Sequence, residues 1–318
     1  MLSMRRNDPC QYDDLAGEWW RPGGGFELLH WLAAARAELI PRPGGPGRLL
    51  LDAGCGGGLL APHVRGLGYH HVGVDLRPSG LFQAAGQGVV PVAADVAALP
   101  LADASVDVVV AGEILEHVPD LSGTVAELCR VLRPGGRVVL DTVNSTALSR
   151  FITVTLGERL GVAPVGLHDP ALFVSPRRLR AEFARHGVRL AVRGVRPTFS
   201  GLMRWLVLRP TPDGRPLGRV VPTFSTAVLY QGLGLKAAVQ SSAGPPAAVR
   251  SSAGPPSAAL PSAVASSAAS SFDASPSAAP LSDTPLSGTP LSDASSSAVS
   301  RSAAGRVGGP FLGKRVKG

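Results

Sequence analysis

The stretch Leu49-Leu50-Leu51-Asp52-Ala53-Gly54-Cys55-Gly56-Gly57-Gly58 runs from apolar residues of strand character through one acid into a set of glycines. The apolar periodicity of residues 59–67 predicts a helix, so the whole reads as strand, tight turn and helix. Such a turn cradles a nucleotide-like ligand, because glycine lacks a Cβ and tolerates positive φ. The glycine spacing narrows the choice of ligand. A dinucleotide turn needs Gly-x-Gly-x-x-Gly, and its last position falls on Leu59, which argues against a nicotinamide-dependent oxidoreductase. The pattern present is Asp-x-Gly-x-Gly-x-Gly, carried by Asp52, Gly54, Gly56 and Gly58.

One strand downstream, His71-Val72-Gly73-Val74 ends in Asp75. A carboxylate at the end of the second strand of a doubly wound sheet can accept hydrogen bonds from both ribose hydroxyls of an adenosine. Aspartate also suits a turn or helix cap ahead of Pro78, but its spacing from the glycine turn favours the ribose role. A third strand, 89–93, leads to Asp95, which either accepts from the adenine amino group or caps a helix. Predicted strands fall near 48–52, 71–75, 89–93, 106–111, 136–142, 188–195 and 221–230. Predicted helices fall near 27–39, 59–67, 79–86, 121–132 and 177–186, with a mixed insert over about 144–174. This alternation predicts an α/β fold, a doubly wound and mostly parallel seven-stranded sheet closed by an antiparallel pair. Ligands of such sheets bind beyond the carboxyl ends of the strands.

The exit of the fourth strand carries a second cluster of chemistry. Val108-Val109-Val110-Ala111-Gly112 runs into Glu113-Ile114-Leu115-Glu116-His117-Val118. On a helical turn, Glu113, Glu116 and His117 share one face. Two carboxylates and an imidazole then form a candidate divalent-cation site; the competing reading is packing and hydrogen bonding around a cofactor.

Composition bounds the rest. From about residue 240 the chain is almost wholly Ser, Ala, Pro, Gly and Leu, with Ser-Ser-Ala-Gly-Pro-Pro at 241–246 and again at 251–256. Such a segment buries too little apolar surface to offset its ordering entropy, so it is expected to be a disordered tail, with residues 1–239 forming one domain. The tail carries +3 of the net +8, leaving a folded part with scattered arginines and no expected nucleic-acid surface. Three cysteines without Cys-x-x-Cys spacing fit a reduced, cytoplasmic setting. No apolar run spans a bilayer and no signal segment opens the chain, so peripheral membrane contact is the most that is expected.

Several separated segments together resemble one family, the ubiquinone-biosynthesis O-methyltransferases, within the class I S-adenosylmethionine-dependent methyltransferases. These are Trp19-Trp20, Phe26, Leu29-His30 and Arg36; 52–61; 113–120; Arg133-Pro134-Gly135-Gly136; Thr142-Val143-Asn144; and Gly166-Leu167-His168-Asp169. The resemblance covers about residues 12–187. It implies S-adenosylmethionine as cofactor, with Arg36, Gly54, Asp75 and Gly112 at cofactor positions and Arg36 facing the methionine carboxylate. It also implies Mg²⁺ or another divalent cation held by Glu113, Glu116 and His117. The expected acceptor is a small phenol, catechol or quinol, whose hydroxyl must lose a proton as the methyl arrives. A cation can favour the phenolate; without one, His168 or His117 is the general base, although His168 also reads as a surface-loop imidazole. Ser145 stands where the family usually has Arg, and no match continues beyond about residue 190. Methylation of nitrogen or carbon centres, or a binding module recruited through the tail, are the alternative readings.

Overall fold

A computed structural model describes residues 6–208 and 217–238 of the chain. The strands are β1 (Leu49–Ala53), β2 (His70–Asp75), β3 (Val90–Ala93), β4 (Val106–Gly112), β5 (Leu132–Val143), β6 (Val188–Pro197), β7 (Val220–Thr223) and β8 (Leu229–Lys236). They form one sheet in the order β3-β2-β1-β4-β5-β8-β6-β7. Strands β1 to β5 pair in parallel, and β8 enters antiparallel between β5 and β6. The order reverses between β1 and β4, which opens a crevice beyond their carboxyl ends.

Val106 to Ala111 are buried at every position, because helices cover both faces of the sheet and leave the central strand no polar side. One layer packs Leu51, Val109, Val125, Leu128 and Phe183; the other packs Ile40, Leu50, Leu60, Val108 and Val110. Each such side chain contributes roughly 1.5–3 kcal/mol through burial. Helix α1 is Gln11–Asp14, α2 is Glu27–Ala37, α3 is Ala61–Val64, α4 is Pro78–Gly86 and α5 is Leu121–Val131. Asp120 starts α5 by accepting a hydrogen bond from the Gly123 amide at 3.0 Å. The helix then buries Leu121, Val125 and Leu128, which recur at helical spacing along one face.

One expectation is corrected. The sheet has eight strands, not seven, because the span expected as one strand, 221–230, falls across β7 and the start of β8: β7 pairs the outer edge of β6, and β8 pairs its inner edge. Pro222 has no amide to donate, which suits the short edge strand β7. The insert after β5 contains a π-helical segment, Arg150–Leu156, a geometry that departs from ordinary helix and recurs at functional sites. The apolar segment 202–208 lies in a helix, Phe199–Val207, whose Trp205 is wholly buried while Phe199 and Val207 are exposed. The expected tail lies outside the described residues.

Candidate active site

Four chain segments reach the carboxyl edge at the β1/β4 switch and enclose a cavity of about 1010 Å³. The glycine turn after β1 supplies one wall. Gly54, Gly56 and Gly58 all have positive φ, as the turn requires. The space a side chain would need is filled by protein: a Cβ on Gly56 would lie 2.3 Å from the Trp19 ring, and one on Gly58 2.8 Å from the Ala84 backbone. Trp20 Nε1 donates to the Gly57 carbonyl at 3.0 Å. The N-terminal segment thus seats its paired tryptophans on the glycine turn.

Asp75, at the end of β2, accepts from the Gly56 amide and the Arg77 amide, each at 2.9 Å. Burial raises its carboxyl above the usual range, opposed by these amide bonds. Asp75 lines the cavity together with Asp52, which is buried with its carboxylate 3.6 Å from His71 Nε2. Asp95 also lines the cavity; its Oδ1 accepts from the Ala97 amide at 2.8 Å within a turn, and no helix follows it to be capped.

Gly112 and Arg36 meet in an arrangement the sequence reading did not contain. Arg36 Nη1 donates to both oxygens of Asp141 on β5, at 2.6 and 2.7 Å, and both side chains are buried. A Cβ on Gly112 would lie 2.1 Å from Arg36 Cζ, so glycine is what admits the guanidinium. Arg36 Nε remains a buried donor without a partner, as does Trp19 Nε1, and both residues line the cavity. Buried polar atoms left unpaired cost free energy unless a ligand meets them. The donor atoms, the carboxylate at the end of β2 and the cavity volume together fit an adenosyl amino acid such as S-adenosylmethionine.

The cluster after β4 departs from the expected helical turn. Glu113 has φ +52, which breaks the helical path that would align residues 113, 116 and 117. Such a backbone stores about 1–3 kcal/mol of strain. Glu113 and Glu116 each keep one buried carboxyl oxygen, Oε1, without a partner, and Thr142 Oγ1 donates to Glu116 Oε2 at 2.7 Å. Burial pushes Glu113 well up, and raises Glu116 to about 7. His117 turns away toward the N-terminal segment: its Nδ1 lies 2.6 Å from Asn7 Oδ1 and its Nε2 3.4 Å from the Tyr12 hydroxyl. Among the described residues no group of three His, Cys, Asp or Glu side chains is arranged to hold a metal ion. Glu113, Glu116 and His117 as placed do not fit the expected cation.

His168 comes from the insert and joins this cluster, its ring centre 5.2 Å from that of His117. It lies in an irregular, partly exposed segment, with its Nδ1 buried without a partner and its side chain lining the cavity. Protein packs closely around both rings: burial pushes His117 down to about 3 and His168 to about 4, leaving both neutral at pH 7. Burial raises the Tyr12 hydroxyl, which therefore stays a donor. The same cavity is also lined by the apolar side chains of Leu28, Leu32, Leu156, Leu202, Val228 and Leu229.

The sequence reading missed Asn7, Tyr12 and Asp141. Asp141 left a signal, an acid inside the apolar run Val138-Val139-Leu140 that leads to Val143. Asn7 and Tyr12 lie more than a hundred positions from His117 and left none.

Known proteins place this fold and site in a class. A family described as methyltransferase domain matches residues 51–140, the segment that carries the glycine turn, Asp75 and the β4 exit. A solved chain from Haloferax volcanii, in complex with a methyltransferase activator, shares the fold at a TM-score of 0.50 and 20% identity, covering 74% of this chain and 100% of that one. The protein is an S-adenosylmethionine-dependent methyltransferase. Its sequence is 37% identical to the ubiquinone biosynthesis O-methyltransferase of Paraburkholderia phytofirmans over 195 residues, 57% of this chain and 83% of the relative. It is also 37% identical to the enzyme of the same name from Thiobacillus denitrificans, over 58% of this chain and 83% of that relative. The chain belongs to the ubiquinone biosynthesis O-methyltransferase family.

Proposed function

We propose that the protein methylates a hydroxyl oxygen of a small phenol, catechol or quinol that carries an apolar body. The observation behind this reading is the pair of neighbouring imidazoles, His117 and His168, lining the same cavity as the cofactor positions and a set of apolar side chains. Bound S-adenosylmethionine supplies an activated methyl group, so the protein has to align the acceptor and remove one proton. Asp75 would receive the ribose hydroxyls and Arg36 Nε the amino-acid end, while Gly54, Gly56 and Gly58 shape the turn. The apolar wall orients the acceptor so that its hydroxyl points to the imidazoles. His117 takes the proton on Nε2, whose contact with Tyr12 at 3.4 Å is long enough to be displaced by an acceptor hydroxyl. His168 faces the same hydroxyl from the insert.

A divalent cation enters none of these steps. Holding one at the β4 exit would require Glu113 and Glu116 to ionise against the burial that raises both, and His117 to leave Asn7. The test is a product assay for S-adenosylhomocysteine with catechols, alkylated quinols and matched amines, before and after chelation. Turnover of phenolic acceptors with loss on His117→Ala is the expected outcome. Turnover of amines alone would move the reading to N-methylation, and activity that vanishes on chelation and returns with Mg²⁺ would restore the cation.

A further inference from the structure

We infer that four arginines at the edge of the sheet remote from the cofactor cavity form a binding site for a phosphate-bearing anion, independent of the methyl-transfer reading above. Arg42, Arg48, Arg133 and Arg137 are dispersed in the sequence, but the fold brings them to one recess of about 200 Å³. Arg42 lies in the segment that leads from α2 to β1, and Arg48 directly precedes β1. Arg133 and Arg137 flank Pro134-Gly135-Gly136 near the start of β5, a motif that the methyl-transfer chemistry leaves without a role. The parallel register sets Leu50 beside Val108 and Val108 beside Arg137, which gathers the amino ends of β1, β4 and β5 at this recess. The cofactor positions lie at the opposite ends of these strands, and the seven residues of β4 alone span about 20 Å.

The charges in this recess do not cancel. Asp107 is the only acid among its lining residues. Its buried carboxylate accepts from the Leu49 amide at 2.8 Å and from Arg48 Nη1 at 3.0 Å, and also from Arg133 Nη1. Each of these guanidiniums keeps further N–H donors beyond the one it gives to Asp107. Arg42 and Arg137 are exposed, and among the described residues neither is paired with a carboxylate. Burial and Asp107 raise the Tyr69 hydroxyl while Arg137 and Arg48 lower it, so both cations lie within electrostatic range of that side chain. The Tyr69 hydroxyl donates to the Pro41 carbonyl at 2.9 Å, which holds the loop that carries Arg42 against the recess. Four cations against one anion leave +3 in a space below the range of drug-sized ligands. Phosphate and pyrophosphate match both the charge and the forked hydrogen bonding of guanidinium groups.

The test uses the full chain and titrates pyrophosphate and inorganic phosphate calorimetrically against chloride at matched ionic strength. The proteins are the parent, Arg42→Gln, Arg137→Gln, their double variant, and Arg189→Gln, which removes an exposed arginine of β6 outside the recess. Pyrophosphate is expected to bind the parent and raise its melting midpoint. Arg42→Gln and Arg137→Gln should each weaken that binding about tenfold, as loss of a hydrogen bond between charged groups implies, while Arg189→Gln leaves it unchanged. In chloride alone the recess variants should melt no lower than the parent, because removing one of several like charges relieves repulsion. A lower midpoint there would assign these arginines to folding and overturn the inference. Saturating S-adenosylhomocysteine should leave pyrophosphate affinity unchanged; competition would place the anion in the cofactor cavity instead. Vesicles of phosphatidylcholine containing phosphatidic acid separate the sources of the phosphate. Co-sedimentation that the double variant abolishes identifies a lipid headgroup, and pyrophosphate binding without co-sedimentation identifies a soluble phosphate. Equal weakening by Arg189→Gln, or a parent that binds neither probe, would also overturn the inference.

Discussion

Replacing Gly112 by alanine adds one methyl group to the end of β4, yet it should be among the most damaging conservative changes in the chain. The added carbon would sit 2.1 Å from Arg36 Cζ, 2.3 Å from Nη1 and 2.4 Å from Nη2, all inside the 3.0 Å that real contacts respect. The guanidinium must move, and it is tethered by two bonds of 2.6 and 2.7 Å to an aspartate with no exposed surface. Moving it strands the Asp141 carboxylate in the core. Breaking a buried pair while leaving one charge behind costs about 3–5 kcal/mol. For a domain of this size each kcal/mol shifts the melting midpoint by about 2–4 °C, so a fall of roughly 10 °C is expected. Urea unfolding followed by tryptophan fluorescence reads the change, and titration with S-adenosylhomocysteine reads the accompanying distortion of the cavity wall. A Gly112→Ala protein within about 0.5 kcal/mol of the parent, the range of neutral surface changes, would refute the argument: it would mean that Arg36 and Asp141 shift together at no cost.

Further consequences are open to measurement. Asp75→Ala should weaken S-adenosylhomocysteine binding at least about tenfold, as loss of hydrogen bonds to a charged group implies, and unchanged calorimetric affinity would place the ribose elsewhere. As pH falls from about 6.5, the ordinary value for histidine, toward the 4 of folded His168, the unfolded chain binds the extra proton first and stability is lost. His168→Gln should flatten that acid limb in unfolding measured across pH. Glu116 acts with the opposite sign: between the ordinary carboxylate range and about 7 the folded protein holds the extra proton, so stability falls as pH rises, and Glu116→Gln should remove that slope. Asp120→Ala should cost about 0.5–2 kcal/mol by uncapping α5, read as a lower urea midpoint with activity retained.

What the sequence disclosed follows from how locally each feature is encoded. β1, β2 and β4 are apolar runs bounded by glycine and acid, and the turn after β1 is written in contiguous residues, so strand order and the cofactor edge could be read directly. The pattern 221–230 is apolar enough for one strand, but it bends after Thr223 to serve both edges of β6, a choice made by its pairing partner. Grouping Glu113, Glu116 and His117 assumed helical φ through Glu113, and that residue is left-handed because its amide is drawn to the Asp141 carbonyl at 3.0 Å. Arg36 was singled out only through the family resemblance, while its partner Asp141 required knowing that β5 lies beside β4. The orientation of His117 is set by Asn7, 110 positions away, and no window of sequence contains both.

The N-terminal segment acts as a tether. Asp13 bonds to Arg77 and Ser79 just past Asp75, the Ala16 carbonyl takes a hydrogen bond from Gln83, and Trp19 lies on the glycine turn, while a few residues earlier Asn7 grips His117. The span that roofs the adenosyl end of the cavity is thus the same span that aims the imidazole. Displacing residues 7–19 would therefore break the contacts to the glycine turn, to the start of α4 and to the His117 ring together, so the two ends of the cavity share one tether.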